Sequence, residues 1–202
     1  STSWAMASVT GSTPARDVAD ATRGSAAPAA PEPILELRDL RTYIDTDAGT
    51  VRAVDGVSFE VMPGETLGLV GESGSGKSVT ALSIMKLLHD QGRIAGGEVK
   101  FRGRDVLAMT GDEVRSLRGG KIAMVFQDPM TSLNPVKRVS DQLVEAMLIH
   151  GRHDKASALR RAIELLGRMG LSAPERQVAS FPHQFSGGMR QRVMLAMGFS
   201  NE

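Results

Sequence analysis

Gly71-Glu72-Ser73-Gly74-Ser75-Gly76-Lys77-Ser78 is a complete G-x-x-x-x-G-K-[ST] octet, and its setting decides the fold. Before it, Glu65-Thr66-Leu67-Gly68-Leu69-Val70 reads as a short buried strand. After it, Val79 to Leu88 reads as a helix, with apolar residues at Leu82, Met85, Leu87 and Leu88. The octet therefore sits on a strand-to-helix turn, where its chemistry needs it. Glycines let successive backbone N–H groups curl around a polyphosphate, and the helix N-terminus adds its partial positive charge. A lysine in the place of Lys77 reaches β- and γ-phosphates, and a hydroxyl in the place of Ser78 ligates Mg²⁺. A bland glycine-rich turn is the competing reading, and the flanking strand and helix weigh against it. The octet predicts a site for a nucleoside triphosphate.

Working outward, residues 1–33 are rich in Ala, Ser, Thr, Pro and Gly without an apolar period, and read as a disordered tail. Trp4 and Met6 within it read as start-segment remnants rather than a docking site. Order is expected from Ile34. Ile34 to Arg38 alternates like a half-buried strand, Val54 to Val61 reads as another, and Pro63-Gly64 as a turn. Val99-Lys100-Phe101 reads as a short strand and Lys121 to Phe126 as a buried one. Beyond Gln127 the texture becomes helical. Asp128 to Pro135 is a loop, followed by helices over Val139–Ile149 and Lys155–Met169, the second closed by Gly170. Pro174 to Pro182 reads as irregular, and Met189 to Phe199 as a third helix.

Bulk properties narrow the class. The 202 residues are 41% hydrophobic and 23% charged, the balance of a globular chain with room for one core and a small appended subdomain. A net charge of +1 gives no global pull toward nucleic acid. There is no cysteine, so this stretch holds no disulfide, zinc–cysteine or iron–sulfur site. No apolar run approaches the about eighteen residues of a membrane span. His89, His150, His153 and His183 are scattered over helix ends and loops, and do not read as a metal set.

A second motif opens the third helix. In Phe185-Ser186-Gly187-Gly188-Met189-Arg190-Gln191-Arg192, Ser186 is a reasonable N-cap and the glycines behind it expose successive N–H groups. Taken alone, such an end is equally a generic cap. Together with the octet, and with Gln127 in Val-Phe-Gln-Asp-Pro between them, it resembles the nucleotide-binding domain of ABC transporters. The order is the same: Walker A loop, Q-loop, then LSGGQ-type signature. The resemblance runs from about Ile34 to the end of the chain. Gln127 to Pro135, Phe181 to Arg192 and Arg52 to Phe59 look more narrowly like the ATPase subunits of dipeptide, oligopeptide and nickel importers.

The resemblance implies an α/β fold: a P-loop NTPase core of ABC type, with an antiparallel β subdomain and an inserted helical subdomain. Its implied divisions are 34–127 for the β subdomain and P-loop core, 128–190 for the helical subdomain, and 185–199 for the signature and its helix. It implies ATP and Mg²⁺ as cofactors. Gly71, Glu72, Ser73, Gly74, Ser75, Gly76, Lys77, Ser78 and Val79 would hold the nucleotide, with Lys77 and Gln127 in catalytic roles and Ser78 and Gln127 toward the metal. Ser186, Gly187, Gly188 and Met189 would contact ATP bound to the opposite subunit. Met189 stands where the signature commonly has Gln.

The family places an aromatic residue near position 44 to stack on adenine. Here Ile44 holds that place beside Tyr43, so Tyr43 is either the stacking residue or a strand residue pointing elsewhere. A following strand ending in Asp-Glu (Walker B and the catalytic base) and a switch histidine are expected beyond this stretch, which ends at Asn201-Glu202. Glu202 is not read as the base, and residues 34–202 are expected to be an incomplete domain that turns over little by itself.

The expected partners are a second ATPase subunit, identical or not, a membrane permease, and indirectly a solute-binding protein. Nucleic acid is not among them. The expected location is the cytoplasmic face of the membrane, through the permease. Two other readings stand beside this one: an ABC ATPase acting outside transport, and a nucleotide-binding fragment without turnover.

Overall fold

Residues 32–126, 132–151 and 153–201 are described in a computed structural model of the chain. They form two compact units, one extending to Met109 and one from Thr110 onward. Among the described residues no helix is long and apolar enough to cross a membrane.

The first unit is built on a hairpin. Strands β1 (Leu35–Thr46) and β2 (Gly49–Val61) pair antiparallel, with Gly49 at φ 121° closing the tight turn. On its other side β1 pairs antiparallel with β3 (Gly92–Phe101), which pairs with the two-residue β4 (Arg104–Asp105), giving the order β2-β1-β3-β4. Both strands beside β1 run much further than their apolar cores imply. The hairpin ends are polar, so alternation alone does not extend them. A kink interrupts β1 at Asp39, which takes φ 47° while Gly97 crosses over it at φ 91°. A Cβ at Gly97 would collide with the Asp39 carbonyl oxygen, so glycine is required there. Leu37, Leu40, Val54, Met85, Val99, Phe101 and Val106 fill the core of this unit.

Helix α1 (Lys77–Ile84) packs on one face of the sheet. It begins two residues before the expected Val79, because the left-handed Gly76 ends the loop directly at Lys77. It also stops short of Leu88. Lys86 turns to the left-handed φ 50°, which breaks the helical path, and donates from Nζ to the carbonyls of Leu107 and Met109.

The strand expected over Glu65–Val70 does not form. The segment takes no regular secondary structure, no strand among the described residues pairs with it, and Val70 is 92% exposed. A near-continuous apolar run suits a strand buried on both faces of a parallel sheet, whereas the sheet here is antiparallel and is bounded by β2 and β4. Lys121–Phe126 departs in the same way. Ile122 makes a single parallel bridge to Arg118, the rest is unladdered, and Phe126 is 48% exposed.

The second unit is helical. Helix α2 (Gly111–Leu117) starts from a capping box in which Thr110 accepts from Glu113 N and Glu113 accepts from Thr110 N. Helix α3 (Val139–Ile149) matches its expected span and α4 (Lys155–Arg168) ends one residue before the expected Met169, and Gly170 at φ 76° closes α4 as the Leu171 amide bonds back to Leu166 O. The stretch expected to be irregular contains the short α5 (Pro174–Gln177) and a 3₁₀ turn at Pro182–Gln184. Helix α6 (Gly187–Gly198) opens at Ser186. Leu143, Met147, Ala158, Ala162, Leu165, Leu166, Val193 and Ala196 are fully buried in one apolar cluster.

Candidate functional site

The octet folds into a closed loop around a lysine. Lys77 Nζ donates to Gly71 O at 2.9 Å, to Glu72 O at 2.7 Å and to Ser75 Oγ at 3.1 Å. Ser75 N in turn bonds Glu72 O at 3.2 Å, so the loop curls on itself. Three oxygens thus surround the ammonium, a set that phosphate oxygens can replace without leaving the cation bare. The loop is tight as well as curled. A Cβ on Gly71 would lie 2.6 Å from Ser75 Oγ, and one on Gly76 would collide with Ala53 O of β2. Gly74 and Gly76 adopt φ 84° and 90°, the left-handed region that favours glycine.

Helix α1 leaves this loop with an uncapped end. Gly76 offers no side-chain cap, and no acidic residue occupies the first turn, so the positive end of the helix dipole meets the loop unopposed. Ser78 is exposed there, while Val79 is half-buried behind it. Thr80 anchors the turn from beneath, its amide and hydroxyl both bonding Gly76 O at 2.8 and 3.0 Å. Glu72, Ser73 and Gly74 form the exposed rim. Loop geometry and donor types therefore suit a polyphosphate, with the exposed Ser78 at the start of the helix beside it.

One feature of this region is not apparent in the sequence. Thr42 on β1 and Ser83 on α1 are fully buried and share a hydrogen bond of 2.8 Å, while Ser83 Oγ donates to Val79 O at 2.7 Å. The pair fastens the loop helix to the central strand. A threonine inside an otherwise apolar stripe is the available signal, but it acquires meaning only once the strand register is known.

Tyr43, next along β1, lies between Arg52 of β2 and Arg93 of β3, its direct neighbours across the ladders. Their guanidinium carbons stand 5.7 and 5.6 Å from the ring centroid, and Tyr43 Oη donates to Asp55 Oδ1 at 3.1 Å. Asp45 accepts from Thr50 Oγ1 at 2.7 Å and from Arg93 Nε at 3.2 Å, and the Thr50 hydroxyl with the Arg93 cation holds its carboxyl below the usual range.

In the second unit Ser186, Gly187 and Gly188 present an exposed helix start. Ser186 Oγ accepts from Met189 N at 3.4 Å, and a Cβ on either glycine would meet nothing within 4 Å. Met189 is half-buried against the helical core. Gln127 lies outside the described residues. A cavity of about 250 Å³ lies between the 119–125 segment and the end of α6; its lining contains none of the residues selected from sequence. Among the described residues no group of three or more His, Asp and Glu side chains is placed to hold a metal.

The family model described as "ABC transporter" matches residues 54–202. The chain is 51% identical over 168 residues to a probable peptide ABC transporter ATP-binding protein of Sinorhizobium fredii, covering 83% of this chain and 50% of that protein. It is 48% identical over 168 residues to the oligopeptide transport ATP-binding protein OppD of Bacillus subtilis, covering 83% of this chain and 47% of the relative. The chain thus spans about half the length of the curated relatives it matches. Among solved structures it is similar to the ATP-binding cassette MJ0796, a dimer in a post-hydrolysis state bound to ADP and Pi. That likeness has TM-score 0.73 and 27% identity, and covers 83% of this chain and 69% of that one. The protein cbiO1 of Clostridium perfringens, part of the ABC transporter complex cbiONQ, at TM-score 0.67 and 22% identity with coverage of 84% and 62%, shares the fold.

Proposed function

This chain belongs to the ABC transporter family, and from that premise we propose that it is the nucleotide-binding part of an ATP-hydrolysing subunit that powers import of peptides or similar small solutes through a membrane permease. The observation that carries the nucleotide reading is the closed loop in which the Lys77 ammonium sits on Gly71 O, Glu72 O and Ser75 Oγ. The peptide reading is supported by the names of the relatives, which are peptide and oligopeptide transport proteins.

In this reading Lys77 exchanges its loop oxygens for those of the β- and γ-phosphates. The backbone N–H groups of residues 71–79 and the positive end of α1 receive the remaining negative charge. Ser78 would supply one ligand to Mg²⁺, which would neutralise part of the phosphate charge. Gln127 responds to the γ-phosphate. The Ser186–Met189 helix start faces ATP held by a second subunit, identical or not, since an open glycine-rich helix end suits a phosphate brought from outside. The permease holds the pair at the cytoplasmic face of the membrane, and a solute-binding protein delivers the cargo from the other side.

The direct test is Lys77→Ala in the 202-residue chain, titrated with ATP and Mg²⁺ by calorimetry. Removal of the cation from the phosphates is expected to weaken binding at least about tenfold, the loss of one charge-assisted contact. An unchanged affinity would place the nucleotide elsewhere.

A further inference from the structure

We propose that Thr42 is a positioning residue for the triphosphate: it heads a relay of hydrogen bonds that ends at the Lys77 amide and makes that N–H a stronger donor to a phosphate oxygen. The inference rests on the nucleotide reading above and adds to it a strand residue that the ligand never touches.

A hydroxyl carries one proton, and this settles the direction of the first link. Ser83 Oγ spends its proton on Val79 O at 2.7 Å, so in its 2.8 Å contact with Thr42 it accepts and Thr42 donates. Thr42 and Ser83 are both at 0% exposure, so the bonds lie in a low-dielectric setting where each strengthens the next. A serine bonded back to its own helix ordinarily weakens that helix slightly. A second buried donor set behind it therefore points to a use beyond stability.

From Val79 the relay runs through the backbone. Val79 C=O and Thr80 N–H belong to one peptide unit, and drawing charge toward the oxygen makes the N–H a better donor. Thr80 N donates to Gly76 O at 2.8 Å, and Thr80 Oγ1 donates to the same oxygen at 3.0 Å. Gly76 C=O in turn shares its peptide unit with Lys77 N–H. Lys77 opens α1, so its amide has no acceptor within the helix and is one of those that meet an anion at a helix start. Every link draws electron density the same way, from the Lys77 amide toward β1. The sheet holds both ends. Thr42 pairs with Val54 of β2, whose Cγ2 lies 3.5 Å from the Cβ position of Gly76, and the neighbouring Ala53 O crowds that glycine as well.

Calorimetric titration of the 202-residue chain with Mg²⁺ and either ATP or inorganic tripolyphosphate tests this, since the relay acts on phosphate with or without a base. Thr42→Val nearly keeps the shape and removes the donor, and is expected to weaken both ligands about threefold, the size of one modest hydrogen bond. Ser83→Ala cuts the middle of the relay and is expected to do the same, also serving as the test should Thr42→Val not fold. Thr42→Ser keeps the proton and is expected to bind as the native chain does. Val99→Ala, in the buried core of the same sheet but outside the relay, is expected to lower the melting temperature and leave affinity unchanged. With lysine nitrogens isotope-labelled, the Lys77 amide proton should move downfield in NMR spectra when tripolyphosphate binds. The movement should be smaller in Thr42→Val and Ser83→Ala than in the native chain or Val99→Ala. Native affinity in folded Thr42→Val and Ser83→Ala would overturn the relay while leaving the phosphate site intact. A loss in Val99→Ala equal to theirs would overturn it too, reducing the pair to a fastening. Binding of neither ligand by the native chain would overturn the nucleotide reading, and this proposal with it.

Discussion

Gly76 shows how much of the site rests on single residues. It sits at φ 90° with Ala53 O where a Cβ would have to go, so any side chain meets both a strained backbone and a collision. Gly76→Ala is expected to destabilise the chain by more than about 1 kcal/mol, since the native conformation is incompatible with the new residue. It is also expected to abolish measurable triphosphate binding, because the Lys77 amide follows directly. Thermal melts paired with calorimetric titration check this, and a variant with native melting and native affinity would mean the loop is looser than its contacts indicate. The octet was legible in sequence because its chemistry is local: eight consecutive residues carry the turn, the cation and the hydroxyl. Tyr43 and Ile44 were not separable in that way. Their roles depend on which face of a strand each occupies, and a register is settled by partners distant in sequence.

Helices were read well where one face is apolar, and strands poorly where neighbours decide. The α3 span, and α4 to within a residue, follow from buried residues at helical spacing, Leu143, Val144 and Met147 in one and Ala158, Ala162, Leu165 and Leu166 in the other. Helix α2 was missed although Thr110 and Glu113 form a capping box, because only Val114 and Leu117 are buried and seven residues give little period. Helix α4 offers a pH test. Asp154 Oδ1 accepts from Ser157 N at 2.7 Å, and that bond, with the Ser157 hydroxyl, holds its carboxyl below the usual range. Because the folded pKa is depressed, the stabilisation is present above the unfolded value and is lost as pH falls through the folded one. Asparagine caps comparably but carries no charge. The melting temperature of the native chain should therefore exceed that of Asp154→Asn at neutral pH, and the gap should close as the pH drops through the carboxylate range. A gap independent of pH would show that the charge contributes nothing.

At the scale of the whole chain, the two apolar segments read as strands are the places where local pattern and observed structure disagree. Thr66 to Val70 and Ile122 to Phe126 have the composition of strands covered on both faces, yet neither joins a described ladder beyond the single Arg118–Ile122 bridge. Composition can ask for a strand, but only a paired neighbour makes one. The physical consequence is that Leu69, Val70 and Phe126 meet solvent and their backbones lack ladder bonds, the condition under which strand edges recruit other chains. Hydrogen exchange on the 202-residue chain should then separate two classes of amide. Those of β1, β2 and β3, bonded across the sheet, should exchange slowly, while residues 66–70 and 123–126 should exchange near the rate of an unstructured peptide at low concentration. Raising the concentration should slow exchange in these two segments alone and increase light scattering in step, as intermolecular pairing supplies the missing partners. Val70→Lys should reduce both effects by placing a charge on the exposed run. Slow exchange in 66–70 at the lowest concentration, with no scattering, would mean that the segment is already paired within the chain. The antiparallel sheet would then not be the only sheet this sequence builds.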